Sequence, residues 1–169
     1  GSNFTDLNNT LGVIYIVRDP RNVVNSLAHH NDLTIDEAAD TMINSSKFLV
    51  KSVKNCRILL GSWSSNYTSW KNLQIKNKYL LIKYEDLINK KKTTMLKILK
   101  FLDQLGMKSQ LDIVKLNKAI KSTDFKKVKN LEENETFFEG VLDPKTGKRK
   151  TFFNLGPGND WRRLLDDKI

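Results

Sequence analysis

The sequence predicts an α/β fold in which helices flank a parallel sheet. Two short apolar runs, Val13 to Val17 and Leu80 to Lys83, are rich in branched aliphatic residues and are typical of buried strands. Longer segments between and after them repeat apolar residues at helical spacing. Since 169 residues with 39% hydrophobic content suffice to bury one core, we expect residues 1–169 to belong to a single domain.

The first strand leads directly into a helix. The run from Val13 to Val17 is almost wholly apolar, which favours a strand buried on both faces of its sheet. Asp19 and Pro20 suit the N-cap and the first position of a helix, because the carboxylate accepts a backbone N–H and proline lacks one. Arg18 precedes this start and Ser26 lies on the second turn, so the segment is one way to hold a phosphate at the carboxyl edge of a sheet.

The remaining elements follow from apolar spacing and from capping residues. They are a helix over residues 36–53, a helix over 66–76 with Ser64 and Ser65 as alternative starts, a strand over 80–83, an amphipathic helix over 91–105 closed by Gly106, and a helix over 109–120. The sequence of residues 132–150 predicts a loop with a turn at 143–147. If the two strands are parallel, the second one delivers Tyr84 to the same sheet edge as Arg18.

The composition constrains the partners and the compartment. The formal net charge of +10 favours polyanionic partners, which include nucleic acid, anionic lipid and a nucleotide with several phosphates. The single Cys56 excludes an internal disulfide, and no run reaches the ~20 apolar residues of a membrane span, so we expect a cytoplasmic protein. Because no Cys/His or carboxylate cluster has metal-ligand spacing, we also expect no metal.

Four parts of the sequence, the second made of two segments, occur in an order that is typical of one family. The first is VIYIVRDPRNVVNS at 13–26, and the second is GSWSSNYTSW at 61–70 with YLLIKYEDL at 79–87. The third is STDFKKV at 122–128, and the fourth is FFNLGPGNDWRRLL at 152–165. Together they resemble the sulfotransferases that use 3′-phosphoadenosine 5′-phosphosulfate (PAPS). The resemblance implies a sulfotransferase fold, which is a P-loop-NTPase-like parallel sheet flanked by helices. It also implies that residues 1–169 are the C-terminal part of that domain.

The same resemblance implies a site for PAPS, or for its product 3′-phosphoadenosine 5′-phosphate (PAP). Arg18 and Ser26 keep the spacing of the pair that binds the 3′-phosphate in this family. Tyr84 resembles the tyrosine that hydrogen-bonds near that phosphate. Thr123 and Phe125 resemble the residues that contact the adenine, and an aromatic face suits any purine.

The closing loop departs from the family pattern. Alignment on Phe152, Phe153 and Gly156 places Asn154 and Leu155 where an arginine and a lysine usually bind the 3′-phosphate, and Asn159 where a second glycine usually lies. The backbone N–H of Gly156 can still approach a phosphate closely. We therefore expect a site at residues 153–156 with weaker nucleotide affinity than in a typical member. Three cations are alternatives for restoring the lost charge: Arg149, Lys150 and Arg162.

The implied reaction is in-line transfer of a sulfuryl group from PAPS to an acceptor hydroxyl or amine. The acceptor class stays open between small molecules and carbohydrates, and we expect no nucleic-acid partner. The sequence contains no G-x-x-x-x-G-K-[ST] phosphate loop and no counterpart of the family's acid/base histidine, so we expect the chain alone to be inactive. Two alternatives remain, a kinase-like P-loop nucleotide enzyme and a basic nucleic-acid-binding module.

Overall fold

Helices and strands alternate along the chain, which confirms the α/β prediction. The computed structural model describes residues 9–46, 48–49, 58–72, 78–107, 111–134, 146–147 and 149–165. The elements are β1 Val13–Val17, α1 Pro20–Asn31, α2 Ile35–Ile43, β2 Phe48–Leu49, β3 Ile58–Leu59, α3 Trp63–Asn72, β4 Tyr79–Lys83, α4 Tyr84–Asn89, α5 Lys91–Gln104, α6 Ile113–Ser122, α7 Phe125–Glu133 and α8 Trp161–Leu164. A 3₁₀ turn, Gly156–Gly158, precedes α8.

Strands β1 and β4 pair in parallel, as predicted. Their register places Val17 opposite Lys83 at the carboxyl end of both strands. The next residue of each strand, Arg18 and Tyr84, therefore leaves the sheet at the same edge. Asp19 accepts the backbone N–H of Arg21 and Pro20 opens α1, so the predicted start of this helix is also confirmed.

The prediction that β1 is buried on both faces is wrong. Its side chains alternate, and Ile14 and Ile16 are 37% and 51% exposed. On the other face, Tyr15 stacks on Trp70 of α3, with ring centroids 5.6 Å apart. Within the described residues, no comparable layer covers the two isoleucines. A continuous apolar run predicts a strand, but it does not indicate which layers cover the two faces of that strand.

The main buried cluster lies between α1 and α2. Val24 and Ala28 of α1 pack with Ala38 of α2 at its centre. Thr34 starts α2 through a capping box, in which its hydroxyl accepts the N–H of Glu37 while the Glu37 carboxylate accepts the N–H of Thr34. This packing fixes α1, the helix that carries Ser26.

The helix predicted over residues 36–53 is wrong beyond Ile43. The chain turns at Asn44, whose side-chain oxygen accepts the N–H of Ser46, and strand β2 then pairs antiparallel with β3. Apolar residues that resemble a helical continuation thus belong to a short strand, because a short apolar run suits either structure. Residues 50–53 lie outside the described residues.

The other boundaries shift by a few residues. Helix α3 begins at Trp63, where the Ser62 hydroxyl accepts the N–H of Ser65; the predicted part over 73–76 lies outside the described residues. Helix α5 ends before Gly106, which has a φ of +95° as a helix-terminating glycine should. Helix α6 begins behind Asp112, and residues 109–110 are again outside the described residues.

Three of the described helices, α4, α7 and α8, lie where the sequence analysis predicts none. Helix α7 extends into the segment predicted as a loop over 132–150, of which residues 135–145 and 148 lie outside the described residues. In the described parts of the chain, no helix combines the length and the apolarity needed to cross a bilayer.

Candidate functional site

A cavity of about 830 Å³ opens at the carboxyl edge of β1 and β4. Side chains of α1, α4, α5 and α7 form its walls, together with the loop at residues 150–157, here called the closing loop. All nine residues that the sequence analysis assigns to a nucleotide site line this cavity: Arg18, Ser26, Tyr84, Thr123, Phe125, Phe153, Asn154, Leu155 and Gly156. Their roles toward a ligand stay predictions, but the chain does bring them together.

Arg18 lies between the two strand ends with its guanidinium only partly satisfied. Its Cζ is 4.5 Å from the ring centroid of Tyr84, and its Nη1 donates a long bond of 3.5 Å to the Oγ of Ser26. Its Nε is buried and has no hydrogen-bond partner among the described residues. A buried donor without an acceptor costs about 1–3 kcal/mol, so this guanidinium is suited to an anionic ligand with several acceptor oxygens.

Two carboxylates hold this edge of the sheet in place. Glu85 accepts the backbone N–H of Asp19 at 3.0 Å, which joins the ends of β4 and β1. The Asp19 carboxylate accepts two bonds from the Arg21 guanidinium, at 3.0 and 2.7 Å, and this hydrogen bonding lowers the pKa of Asp19. Asp19 is thus charged at neutral pH and holds the start of α1. The contact with the Asp19 N–H gives Glu85 a structural role at this edge of the sheet.

Aromatic side chains also line the cavity. Phe125 and Phe153 meet edge to face, with ring centroids 6.4 Å apart. Thr123 is the C-cap of α6, and its hydroxyl donates to carbonyls of that helix, the nearer being that of Ile120 at 3.1 Å. Its oxygen therefore keeps acceptor capacity for a ligand, while the ring faces and edges suit a flat heterocycle.

The closing loop is fixed to two helices. Glu132 of α7 accepts the backbone N–H groups of Phe152 and Phe153, the latter at 3.0 Å. His29 of α1 donates its Nε2 proton to the carbonyl of Thr151 at 2.9 Å. Sequence reasoning missed Glu132, because it lies about 20 residues from the groups it binds and nothing local marks the contact.

The three candidate cations differ in position. Lys150 lines the cavity and forms an ion pair with Asp32. Arg149 lines a neighbouring cavity of about 680 Å³, and the Cζ of Arg162 lies 4.7 Å from the ring centroid of Trp161. Of the three alternatives, Lys150 is therefore the one placed at the site. Lys91 also lines the large cavity, although a run of lysines indicates a solvated surface when only the sequence is considered.

Among the described residues, no group of three or more His, Cys, Asp or Glu side chains is arranged to hold a metal ion.

The fold and the cavity define an α/β protein with a basic and aromatic cavity at the carboxyl edge of its parallel strands. The sequence matches the family model of the sulfotransferase domain over residues 5–169. The chain belongs to the sulfotransferase family.

Individual relatives are similar across most of the chain. Sulfotransferase 2A2 of Rattus norvegicus is 28% identical over 158 residues, which cover 89% of this chain and 49% of that protein. The 3-beta-hydroxysteroid sulfotransferase of Cavia porcellus is 28% identical over 152 residues, with the same coverage. The chain spans about half the length of these curated relatives.

A solved structure confirms the predicted fold. The crystal structure of mouse sulfotransferase SULT7A1 complexed with PAP superposes with a TM-score of 0.61 at 20% identity. The superposition covers 93% of this chain and 53% of the mouse chain. At this level of identity the similarity establishes the sulfotransferase fold.

Proposed function

We propose that this chain is part of an enzyme that transfers a sulfuryl group from PAPS to an acceptor hydroxyl or amine. We further propose that its cavity holds the 3′-phosphate and adenine end of the nucleotide. The observation that carries the proposal is the guanidinium of Arg18, whose buried Nε lacks a described partner and whose Nη1 contacts Ser26. The mouse sulfotransferase of similar fold was crystallised with PAP, which supports the same ligand class for this chain.

The cavity lining offers groups suited to both parts of such a nucleotide. Arg18, Ser26 and Tyr84 provide polar side chains suited to a phosphate, whereas Phe125 and Phe153 provide aromatic rings suited to a purine. The cavity volume of about 830 Å³ lies in the range of small-molecule sites. The donor set therefore fits PAP or PAPS better than it fits an uncharged ligand.

The catalytic contribution of these residues is positioning. When bound, PAPS supplies the sulfuryl group, which moves to the acceptor oxygen or nitrogen and leaves PAP. The residues of this chain hold the nucleotide by its far end and fix its direction, which lowers the entropic part of the barrier. We assign no residue here to the sulfuryl group itself, because the sequence contains no glycine-rich loop with a lysine. The chain alone is accordingly proposed to bind nucleotide without turnover.

The acceptor is proposed to be a small molecule. The named substrate of the Cavia porcellus relative is a hydroxysteroid, and this favours a small alcohol over a carbohydrate. The cytoplasmic location inferred from the cysteine content stays a prediction.

A comparison of three ligands distinguishes the proposal from its two alternatives. By isothermal titration calorimetry of the full protein, we expect PAP to bind at least about tenfold more tightly than ATP, because the 3′-phosphate gains charge-assisted bonds that ATP lacks. Single-stranded DNA should bind weakly and lose affinity with added salt. Preference for ATP would favour the kinase-like alternative, and preference for DNA would favour the nucleic-acid-binding module.

Lys150 is predicted to supply part of the charge that Asn154 and Leu155 lack. Lys150→Met should lower the affinity for PAP about fivefold, which corresponds to about 1 kcal/mol for one charged contact shared with Asp32. Arg149→Met is the matched control, since Arg149 lines the neighbouring cavity. Titration calorimetry should show a change of less than about twofold for this control. Equal losses in both variants would indicate a general field instead of a contact at the site.

A further inference from the structure

Asn159 forms a buried link between helix α1 and the segment at residues 158–161, which directly follows the closing loop. Its exposed fraction is 7%, and its Nδ2 donates to the carbonyl of Asn22 at 2.8 Å and to the Oγ of Ser26 at 3.1 Å. Its Oδ1 accepts a bond from the Nδ2 of Asn25 at 3.4 Å. Both Nδ2 protons and the Oδ1 of Asn159 thus form hydrogen bonds with groups of α1. A glycine at this position, as in the family pattern, has no side chain to form these bonds.

The Asn22 carbonyl determines the orientation of this amide. A carbonyl oxygen can only accept, so the atom beside it must be Nδ2 and not Oδ1. The second proton of the same Nδ2 then points at Ser26, whose hydroxyl oxygen must act as the acceptor. The direction of the bond from Asn159 to Ser26 follows from chemistry alone.

The direction of this bond determines which hydrogen-bonding capacity of the Ser26 hydroxyl remains for a ligand. A hydroxyl has two acceptor lone pairs and one donor proton. The Nδ2 of Asn159 and the Nη1 of Arg18 both donate to its oxygen, at 3.1 and 3.5 Å. With both lone pairs used, the remaining function of the hydroxyl is to donate its proton, and Ser26 lines the cavity.

We propose that Asn159 is a positioning residue that holds the Ser26 hydroxyl as a hydrogen-bond donor to the 3′-phosphate. This inference rests on the proposed function and deepens it. Asn159 thereby makes the site selective for a nucleotide with a 3′-phosphate, although the closing loop carries Asn154 and Leu155 in place of two cations. The family pattern contains no residue with this task at the same position.

A double-mutant cycle between Asn159 and Ser26 tests the inference. We expect Asn159→Ala in the full protein to lower PAP affinity about five- to tenfold and the affinity for adenosine 5′-phosphate, which lacks the 3′-phosphate, less than about twofold. In a Ser26→Ala background, the same substitution should change PAP affinity less than about twofold, because the group through which it acts is gone. Asn159→Gly restores the family residue and serves as a second variant with the same expectation.

Asn22→Ala is the control for general loosening. The Asn22 side chain accepts the N–H of Trp161 at 2.9 Å, so its loss weakens the attachment of the same segment without removing a bond to Ser26. This control should change the affinities for PAP and adenosine 5′-phosphate by equal factors. Equal factors for Asn159→Ala, or additive effects in the cycle, would overturn the inference alone. Absence of any preference for PAP in the unmodified protein would overturn the proposed function, and the inference with it.

Discussion

Arg18→Ala is expected to lower the affinity for PAP by about 30- to 100-fold, which corresponds to about 2–3 kcal/mol for a charged group that makes more than one bond. The guanidinium contacts Ser26 and Tyr84 at the cavity wall, and its buried Nε has no described partner, so a bound phosphate would supply the acceptor. Titration calorimetry with PAP and with adenosine 5′-phosphate measures the effect. The second ligand should lose much less affinity, since it lacks the 3′-phosphate.

Arg18→Lys is the matched control for geometry. It keeps the charge but replaces the planar fork of donors by a single ammonium, so an intermediate loss of about tenfold is expected. Thermal unfolding of the ligand-free Arg18→Ala variant should occur at or above the temperature of the unmodified protein, because an unsatisfied buried donor is removed. If Arg18→Ala lowers the affinity for both nucleotides equally, the 3′-phosphate lies elsewhere.

The sequence predicted the membership of the site better than its internal contacts. Arg18 and Tyr84 follow two parallel strands, and the carboxyl ends of such strands share one edge, so their proximity is a consequence of chain direction. Likewise, Asp19 and Pro20 define the start of α1 and hence the height of Ser26 above the sheet. Signals of this kind are local, because each depends on residues that are neighbours along the chain.

No pattern of neighbouring residues in the sequence indicates the contacts between distant segments. Glu132 binds the closing loop and Asn159 binds α1 across more than 130 residues, yet neither belongs to a periodic pattern or a cap. The Lys91 position at the cavity depends on how α5 packs, which a run of lysines does not indicate. Strand ends and helix caps thus predicted Arg18, Ser26 and Tyr84, and the family resemblance predicted the cavity residues of distant segments, such as Phe125 and Gly156. Neither kind of signal indicated the contacts that Glu132 and Asn159 make.

The positions at which the closing loop departs from the family pattern affect the charge and the hydrogen bonds that are available to a phosphate. Loss of the two usual cations at Asn154 and Leu155 reduces the charge available to a phosphate, but Lys150 lies at the same cavity and Asn159 orients Ser26. Under the proposed function, directed hydrogen bonds replace part of the charge at the site. Such bonds are less sensitive to added salt than exposed ion pairs, so PAP affinity should depend only moderately on ionic strength.

Gly156→Ala is expected to weaken both nucleotides, in contrast to Arg18→Ala. Gly156 has a φ of +52°, which an alanine adopts only with strain of about 1 kcal/mol. A Cβ added there would overlap the ring of Phe125, so this ring must move within the cavity wall. Affinities for PAP and for adenosine 5′-phosphate should both fall about tenfold or more, because both ligands present the same adenine.

Gly158→Ala is the control in the same turn, since a Cβ at Gly158 meets no atom within 4 Å. It should change either affinity by less than about twofold. The double variant Gly156→Ala with Phe125→Ala separates the two causes of damage. Removal of the ring relieves the clash and should recover part of the lost melting temperature, whereas adenine binding should stay weak because its aromatic wall is gone. Full recovery of binding in the double variant would show that Phe125 does not contact the adenine and that its clash with the added methyl group accounts for the whole effect.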